Sequence, residues 1–319
     1  MTTDGLFIAG DWGSSAMRLH LCRRGPAGPE ILDSVAGPGA KTVTDHEAAF
    51  FDAAGGWLDQ HGAIPILLSG MIGSTIGWRE AGYVAAPADA AGLETRLLRF
   101  TARGVAIAIV PGLSCTNIFG FPDVMRGEEM QLFGWLATRD DDAVERLICL
   151  PGTHAKWTRT HGRRVMDFFT SMQGELHELL LQHSLLGRSL DRAPDPAAPV
   201  DAHAFRHGVE AMAADPTLAI EHAIFAMRSR ILTGDLGQGA APSFLSGLMI
   251  GAEVRDGIHA HAMRGMTVTP LVLIGSERLV ELYGIACDRL GVAHVDMVDR
   301  DLAVRGLAAL IAPAVAPAA

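Results

Sequence analysis

Apolar and polar positions alternate in a way that writes most of the elements into the first half of the chain. Residues 6–10 form a continuous apolar run, and residues 17–22 and 30–35 alternate, with Gly25-Pro26-Ala27-Gly28-Pro29 between them. Three short strands in a meander follow from that pattern. Asp45 then reads as the N-cap of a helix to about residue 60. The run PILLS at 65–69 predicts a buried strand stopped by Gly70, and 105–110 another, stopped by Pro111-Gly112. Met130, Phe133 and Leu136 share one face of a helix over 128–137.

From residue 146 the pattern starts over. An apolar strand at 146–150 ends in Pro151-Gly152-Thr153, strands follow at 154–159 and 165–169, and His161-Gly162 marks the turn between them. Thr170 with Gln173 reads as a capping box, Asp215-Pro216 as an N-cap and first helical residue, and Ser243 as the start of a long helix. A buried strand at 271–274, a helix capped by Ser276 and ended by Gly291, a strand at 292–298 and a C-terminal helix complete the chain, with APAVAPAA as a frayed tail. The same architectural plan thus occurs twice, predicting two α/β lobes, 1–138 and 139–319, with a cleft between their polar first turns.

Composition narrows the function. The chain has 319 residues, 49% hydrophobic and 19% charged, with a formal charge of -10 and no basic block. This argues against nucleic acid or an anionic membrane as partner, and an anionic substrate would need a local cluster of donors. No leader-like apolar segment follows Met1 and no apolar run suits a bilayer span, while Cys22, Cys115, Cys149 and Cys287 are far apart. Four buried thiols in the cytoplasm are expected. The sequence admits a homodimer without specifying one. Only two lysines occur, Lys41 and Lys156.

Two glycine turns carry the chemistry. In the first, Gly13, Ser14 and Ser15 offer amides and hydroxyls to an anion, and Asp11 beside them suits Mg²⁺ or its waters. Gly152, Thr153 and His154 occupy the same place in the second lobe, followed by Lys156 as a point charge. Gly275-Ser276, a glycine and a helix start after a strand, would offer a flat backbone patch to an adenine or ribose, and is equally an ordinary strand-to-helix turn. Gly70, Met71 and Ser74, leading to Trp78, leave room for a small polar ligand after a strand end. Arg126 can grip a carboxylate bidentately, and Glu128 can take a proton from a hydroxyl, although Asp123 is an equally legal base by spacing. Gly247 and Gly251, four apart on a helix, suit close packing as well as a nucleotide.

Two other patterns fail as motifs. HELLLQH sets His177 and His183 six apart where a zincin needs four, so it reads as a polar helix face. Gly37-Pro38-Gly39-Ala40-Lys41-Thr42 has neither the glycine before lysine nor the following helix of a P-loop.

Taken together, IAGDWGSS, PGTHAKW and LVLIGS resemble the two phosphate motifs and the adenosine motif of the sugar-kinase, actin and heat-shock ATPase superfamily. With LSGMIGSTIGW, DVMRGEEMQL, DFFTSMQGELHELLLQHSLLG and FLSGLMIGAEV, the chain resembles the 2-dehydro-3-deoxygalactonokinase family more closely, from residue 10 to about 276. The resemblance implies two ribonuclease-H-like, actin-like ATPase lobes with a central cleft. It implies ATP and Mg²⁺ as cofactors, and transfer of the γ-phosphoryl group to the terminal hydroxyl of 2-dehydro-3-deoxygalactonate, giving the 6-phosphate. By position, Asp11 would serve Mg²⁺, Ser14, Ser15, Thr153 and His154 would surround the phosphates, and Gly275-Ser276 would lie near the nucleoside. A glycine-aspartate pair of related sugar kinases matches Gly127-Glu128 and points to Glu128 as base, with Asp123 and Asp167 in reserve. Rival readings are a kinase for another sugar acid or polyol, a non-catalytic sugar sensor, and an assembly ATPase.

Overall fold

A computed structural model describes residues 5–140, 143–191, 195, 198–266, 270–298 and 301–311. The first strands run longer than the pattern predicts: β1 (Leu6–Trp12), β2 (Ala16–Gly25) and β3 (Gly28–Pro38). α1 (His46–His61) starts where expected, with the Asp45 carboxylate accepting from the Ala48 amide at 2.9 Å. β4 (Ile66–Ser69), β5 (Tyr83–Ala85), α2 (Ala90–Glu94), β6 (Leu98–Ala102), β7 (Val105–Ile109), β8 (Gly112–Thr116), β9 (Pro122–Met125) and α3 (Glu128–Leu136) follow. A six-stranded sheet has the order β3-β2-β1-β4-β7-β6. β1–β2 and β2–β3 are antiparallel, and β4 and β7 continue the sheet in parallel with β1. β5, β8 and β9, of which only the Pro111-Gly112 break gave notice, make a separate small sheet.

The second set comprises β10 (Glu145–Leu150), β11 (Ala155–His161), β12 (Arg164–Ser171), α4 (Gln173–His183), α5 (Ala202–Ala214), α6 (Ile220–Ala223), α7 (Ala226–Thr233), α8 (Ala241–Ala262), β13 (Leu271–Ile274), α9 (Glu277–Leu290), β14 (His294–Met297) and α10 (Leu302–Ala309). Its sheet order is β12-β11-β10-β13-β14, with β13 parallel to both β10 and β14. The first strand is central, the second and third lie to one side, and the fourth and fifth are parallel on the other. The order repeats that of the first sheet, so the fold is α/β with two ribonuclease-H-like sheets of the actin-like ATPase class.

Two compact units result: Met1–Val144, Thr160–Asp167 and Arg300–Ala319 in the first, Glu145–Arg159 and Phe168–Asp299 in the second. The first is not one continuous stretch, as a division at 138/139 expects, because α10 returns to pack along α3. Two glycines permit it. A Cβ on Gly134 would stand only 1.9 Å from the Leu302 carbonyl oxygen, and one on Gly306 2.1 Å from that of Met130. Gly134→Ala must push the helices apart and is expected to cost about 1–3 kcal/mol. Thermal unfolding followed by circular dichroism checks this, and an unchanged midpoint would refute the packing argument.

Three local expectations are corrected. Thr170 belongs to β12, and α4 begins at Gln173 after Met172 with no side-chain cap, so the capping box does not form. Strand pairing outcompetes a cap at that position. Asp215 ends α5 rather than starting a helix, its carboxylate accepting from the amide and hydroxyl of Thr217. Cys115, on β8, is half-buried, whereas Cys22, Cys149 and Cys287 are buried. Ser276 stands at the N-cap position of α9 without a side-chain bond, and the 312–319 tail lies outside the described residues. Among the described residues no helix is long and apolar enough to cross a membrane.

The core of the first unit gathers Trp12, Phe50, Trp57 and Ile109 among others. In the second unit α5 and α8 pack closely. A Cβ on Gly247 would stand 2.0 Å from the Phe205 carbonyl oxygen, and one on Gly251 3.1 Å from Val209 Cα. That contact accounts for the spaced glycines by packing.

Candidate functional site

In the first unit the C-terminal end of β1 bends at Gly13, whose amide donates to the Ala16 carbonyl at 2.9 Å, leaving Ser14 and Ser15 exposed. The Gly37–Lys41 segment, which fails as a P-loop, props this turn. The Ala40 amide donates to the Gly13 carbonyl, the Lys41 amide to that of Ser14, and Trp12 Nε1 to that of Pro38. Gly39 must be glycine, since a Cβ there would stand 2.2 Å from the Ser14 carbonyl oxygen. Asp11 pairs across the strands with Arg18 at 2.8 Å, both carrying solvent-exposed surface.

Gly70 is the meeting point. It has φ +90°, and a Cβ there would stand 2.8 Å from the Trp12 carbonyl oxygen and 3.4 Å from Asp11 Oδ1. Only glycine leaves that space beside the carboxylate. From the other direction Gly127, at φ +109°, brings the bend before α3 so close that its Cβ would lie 3.6 Å from Gly70 Cα. Three sequence-distant segments around residues 11, 70 and 127 therefore converge within one unit.

Arg126 lies in this bend. Its Nη2 donates to the Gly82 carbonyl at 2.7 Å, and its guanidinium sits 4.5 Å over the Tyr83 ring. Nε and Nη1 are buried without a hydrogen-bond partner, Nη1 being 2.8 Å from where a Gly73 Cβ would be. Two buried donors of a cation left unmet are costly, which singles out this arginine as a candidate anion-binding group. Glu128 is the first residue of α3 and half-buried, and an acid at that position suits the helix dipole. Glu129 is fully buried, which with the neighbouring Glu128 charge pushes its carboxyl up to about 8.

Other expected residues serve local structure. Ser74 donates to the Met71 carbonyl at 2.7 Å and so closes the turn after Gly70. Trp78 packs its ring against Phe50 and Phe100, at 5.8 and 5.1 Å between centroids. Asp123, on β9, accepts from Asn117 Nδ2 at 3.2 Å and from the Val124 amide at 2.9 Å.

In the second unit the turn after β10 rests on the start of α4. The Glu175 amide donates to the Thr153 carbonyl at 3.1 Å, and a Cβ on Gly174 would stand 2.5 Å from the Gly152 carbonyl oxygen. His154 pairs with Glu175 at 2.5 Å, while Lys156 is buried on β11. Gly275 sits against Pro151, its Cβ position 3.6 Å from the proline ring. Gly152 and Thr153 line a pocket of about 1000 Å³ walled by α4, α8 and α9, with Gln173, His177, Ser246 and Arg278 among its polar groups. A Cβ on Gly152 would meet nothing within 4 Å, so the turn has open space beside it.

The pocket revises one reading. His177 and Glu178 are pocket lining rather than a plain polar helix face. Burial holds the His177 imidazole below its usual range, and its ring is 3.3 Å from the Pro242 carbonyl, which requires an N–H on Nε2. Neither Gly275 nor Ser276 lines the pocket; the next turns of α9 do, through Arg278 and Leu282. Arg278 and Gln173 were not anticipated, and Gln173 could have been found from its place directly before the glycine that seats the turn.

The model of the family described as 2-keto-3-deoxy-galactonokinase matches residues 11–310. The chain belongs to this family. The 2-keto-3-deoxy-galactonokinase match spans both sheets and both turns. A relative from Escherichia coli (strain K12), 2-dehydro-3-deoxygalactonokinase, is 35% identical over 314 residues, covering 97% of this chain and 98% of that one. A relative from Rhizobium meliloti (strain 1021), named "Probable 2-dehydro-3-deoxygalactonokinase DgoK1", is 35% identical over 317 residues and 97% of each chain. A solved structure from Sinorhizobium meliloti assigned as a 2-dehydro-3-deoxygalactonokinase superposes with a TM-score of 0.81 at 31% identity, covering 95% of this chain and 97% of that one.

Proposed function

We infer that this chain phosphorylates 2-dehydro-3-deoxygalactonate with ATP, at the terminal hydroxyl, giving the 6-phosphate. Membership of the kinase family supports the reaction class, and the name of the relatives supports the substrate. The observation that carries the site assignment is the convergence at Gly70 of the Asp11 carboxylate and the Arg126–Gly127–Glu128 bend. This convergence supports reading Asp11 as the acid for Mg²⁺ and Glu128 as the base, at one strand end.

In this reading the Arg126 guanidinium pairs with the substrate carboxylate, which fixes the sugar acid by one end. Glu128 accepts the proton of the acceptor hydroxyl as its oxygen attacks the γ-phosphorus. That phosphorus–oxygen bond forms as the bond to the β-phosphate oxygen breaks, so ADP leaves. No covalent enzyme intermediate is needed, because the work is positioning and charge neutralisation. The Ser14 and Ser15 hydroxyls and the Gly13 turn would hold phosphate oxygens, as would the Gly152–His154 turn, and the pocket beside the latter would take the nucleoside. Asp11 fits Mg²⁺: it is a hard oxygen donor with glycine-made space beside it, and this ion keeps most of its own waters. When bound, Mg²⁺ neutralises charge on the phosphates.

The test is an ATP-coupled assay across sugar acids, their neutral sugar counterparts and polyols. Activity on 2-dehydro-3-deoxygalactonate is expected and loss of its carboxylate should abolish most of it; turnover of neutral sugars alone would overturn the reading. Arg126→Lys is expected to raise KM for the sugar acid by about tenfold or more, because an ammonium cannot hold the Gly82 carbonyl and a carboxylate with the same planar set of donors. KM for ATP should not move. An unchanged sugar-acid KM would remove Arg126 from substrate binding.

A further inference from the structure

Glu129 has no part in the chemistry just described, yet it is a carboxyl buried beside it, which is costly. It is 0% exposed, Oε2 accepts from the Gly127 amide at 2.5 Å, and Oε1 has no hydrogen-bond partner. The bond turns the side chain back onto the start of its own helix, as in half of a capping box. A cap alone does not require burial, since an exposed Ser or Asp at the helix start satisfies the same amide without desolvating a carboxyl. Here the N-cap is Gly127, which has no side chain to offer and whose φ of +109° an ordinary residue would resist.

We propose that Glu129 is a positioning residue for the sugar-acid site, fastening the Gly127 amide from the buried side and so setting where Arg126 and Glu128 stand. Arg126 precedes that amide and Glu128 follows it, so a rotation of the Gly127 peptide would move both at once. The proposal rests on the roles given above to Arg126 and Glu128. The acceptor oxygen, not the negative charge, does the fastening. Burial first, and then Glu128 on the same helix, favour the protonated carboxyl; the amides of Glu129 and Gly127, and after them Arg126, favour the ionised one and are outweighed. Of the other charged groups on packed elements, Arg305 of α10 donates to the Ala27 carbonyl and Asp11 at the end of β1 pairs with Arg18. Ionisation above about pH 8 puts a second negative charge beside Glu128 and draws on the guanidinium of Arg126.

Glu129→Gln keeps the acceptor and cannot ionise; Glu129→Leu keeps the bulk and loses the acceptor. At pH 7 the Gln variant is expected within about threefold of wild type, and the Leu variant about a hundredfold lower in kcat/KM for the sugar acid, the usual effect of an ångström of misplacement. KM for ATP should be unchanged in both. The fall in wild-type kcat/KM above about pH 8 should be absent from the Gln variant. Hydrogen exchange at the Gly127 amide should be slow in wild type and Gln and fast in Leu, whatever the substrate. A slow amide in the Leu variant, or an alkaline limb retained by Gln, overturns the proposal; if Leu does not fold, the Gln profile decides. Absence of sugar-acid turnover in wild type would instead overturn the reading of the site, leaving the exchange result to judge Glu129.

Discussion

Asp11→Asn is expected to lower kcat by about a thousandfold, or ~4 kcal/mol at 1.36 kcal/mol per tenfold. The substitution keeps the shape of the side chain and removes its charge, and with it the carboxylate proposed to hold Mg²⁺. The loss should not be one of folding. The Asp11–Arg18 pair is partly exposed, at 28% and 65% for the two side chains, and such a pair is worth at most about 1 kcal/mol. The unfolding midpoint should therefore stay close to that of wild type. ATP binding measured by calorimetry without metal should also persist, because the pocket beside Gly152 lies in the other unit. A steady-state assay over a range of magnesium concentrations reads the effect directly. Unchanged turnover would take Asp11 out of the mechanism.

Glu128→Gln is expected to reduce kcat by about 10²–10⁴-fold with KM for the sugar acid changed by no more than a few-fold, as removal of a general base does. Asp123→Asn is the control. Both carboxylate oxygens of Asp123 already accept hydrogen bonds within the β8–β9 hairpin, from Asn117 and from the Val124 amide. Glu128 instead begins the helix whose N-cap touches Gly70. The Asn variant should retain turnover within a few-fold. If the two variants exchange these phenotypes, the base is Asp123 and the Gly70 convergence has been given the wrong acid.

Much of the fold was legible because its signals are local. Apolar or alternating runs between turn residues marked β1–β4, β7 and β10–β14, and Asp45 and Gly291 marked helix ends by their own backbone chemistry. The failures are also instructive. Thr170 and Asp215 carry sound capping chemistry, yet β12 claims the first and the end of α5 the second. Local propensity is worth a few tenths to about 1 kcal/mol, which a strand ladder or a packed helix outweighs. The Gly37–Lys41 segment was rejected for what it is not, and what it does, supporting the Gly13 turn from below, depends on residues some 25 positions upstream.

By itself the sequence determined the types of group available: an acid and two hydroxyls at one glycine turn, a second turn of the same kind, an arginine and two glutamates at a helix start. It determined the repeated strand plan as well, because hydrophobic period and turn residues act over a few positions. Only the tertiary structure decided which of these groups meet. Gly70 joins Asp11 to Gly127 because parallel pairing of β1 with β4 sets one strand end beside the other, and α3 is held in place by α10 from the far end of the chain. Burial of Glu129 and the unmet donors of Arg126 follow from that packing, which no short-range pattern encodes.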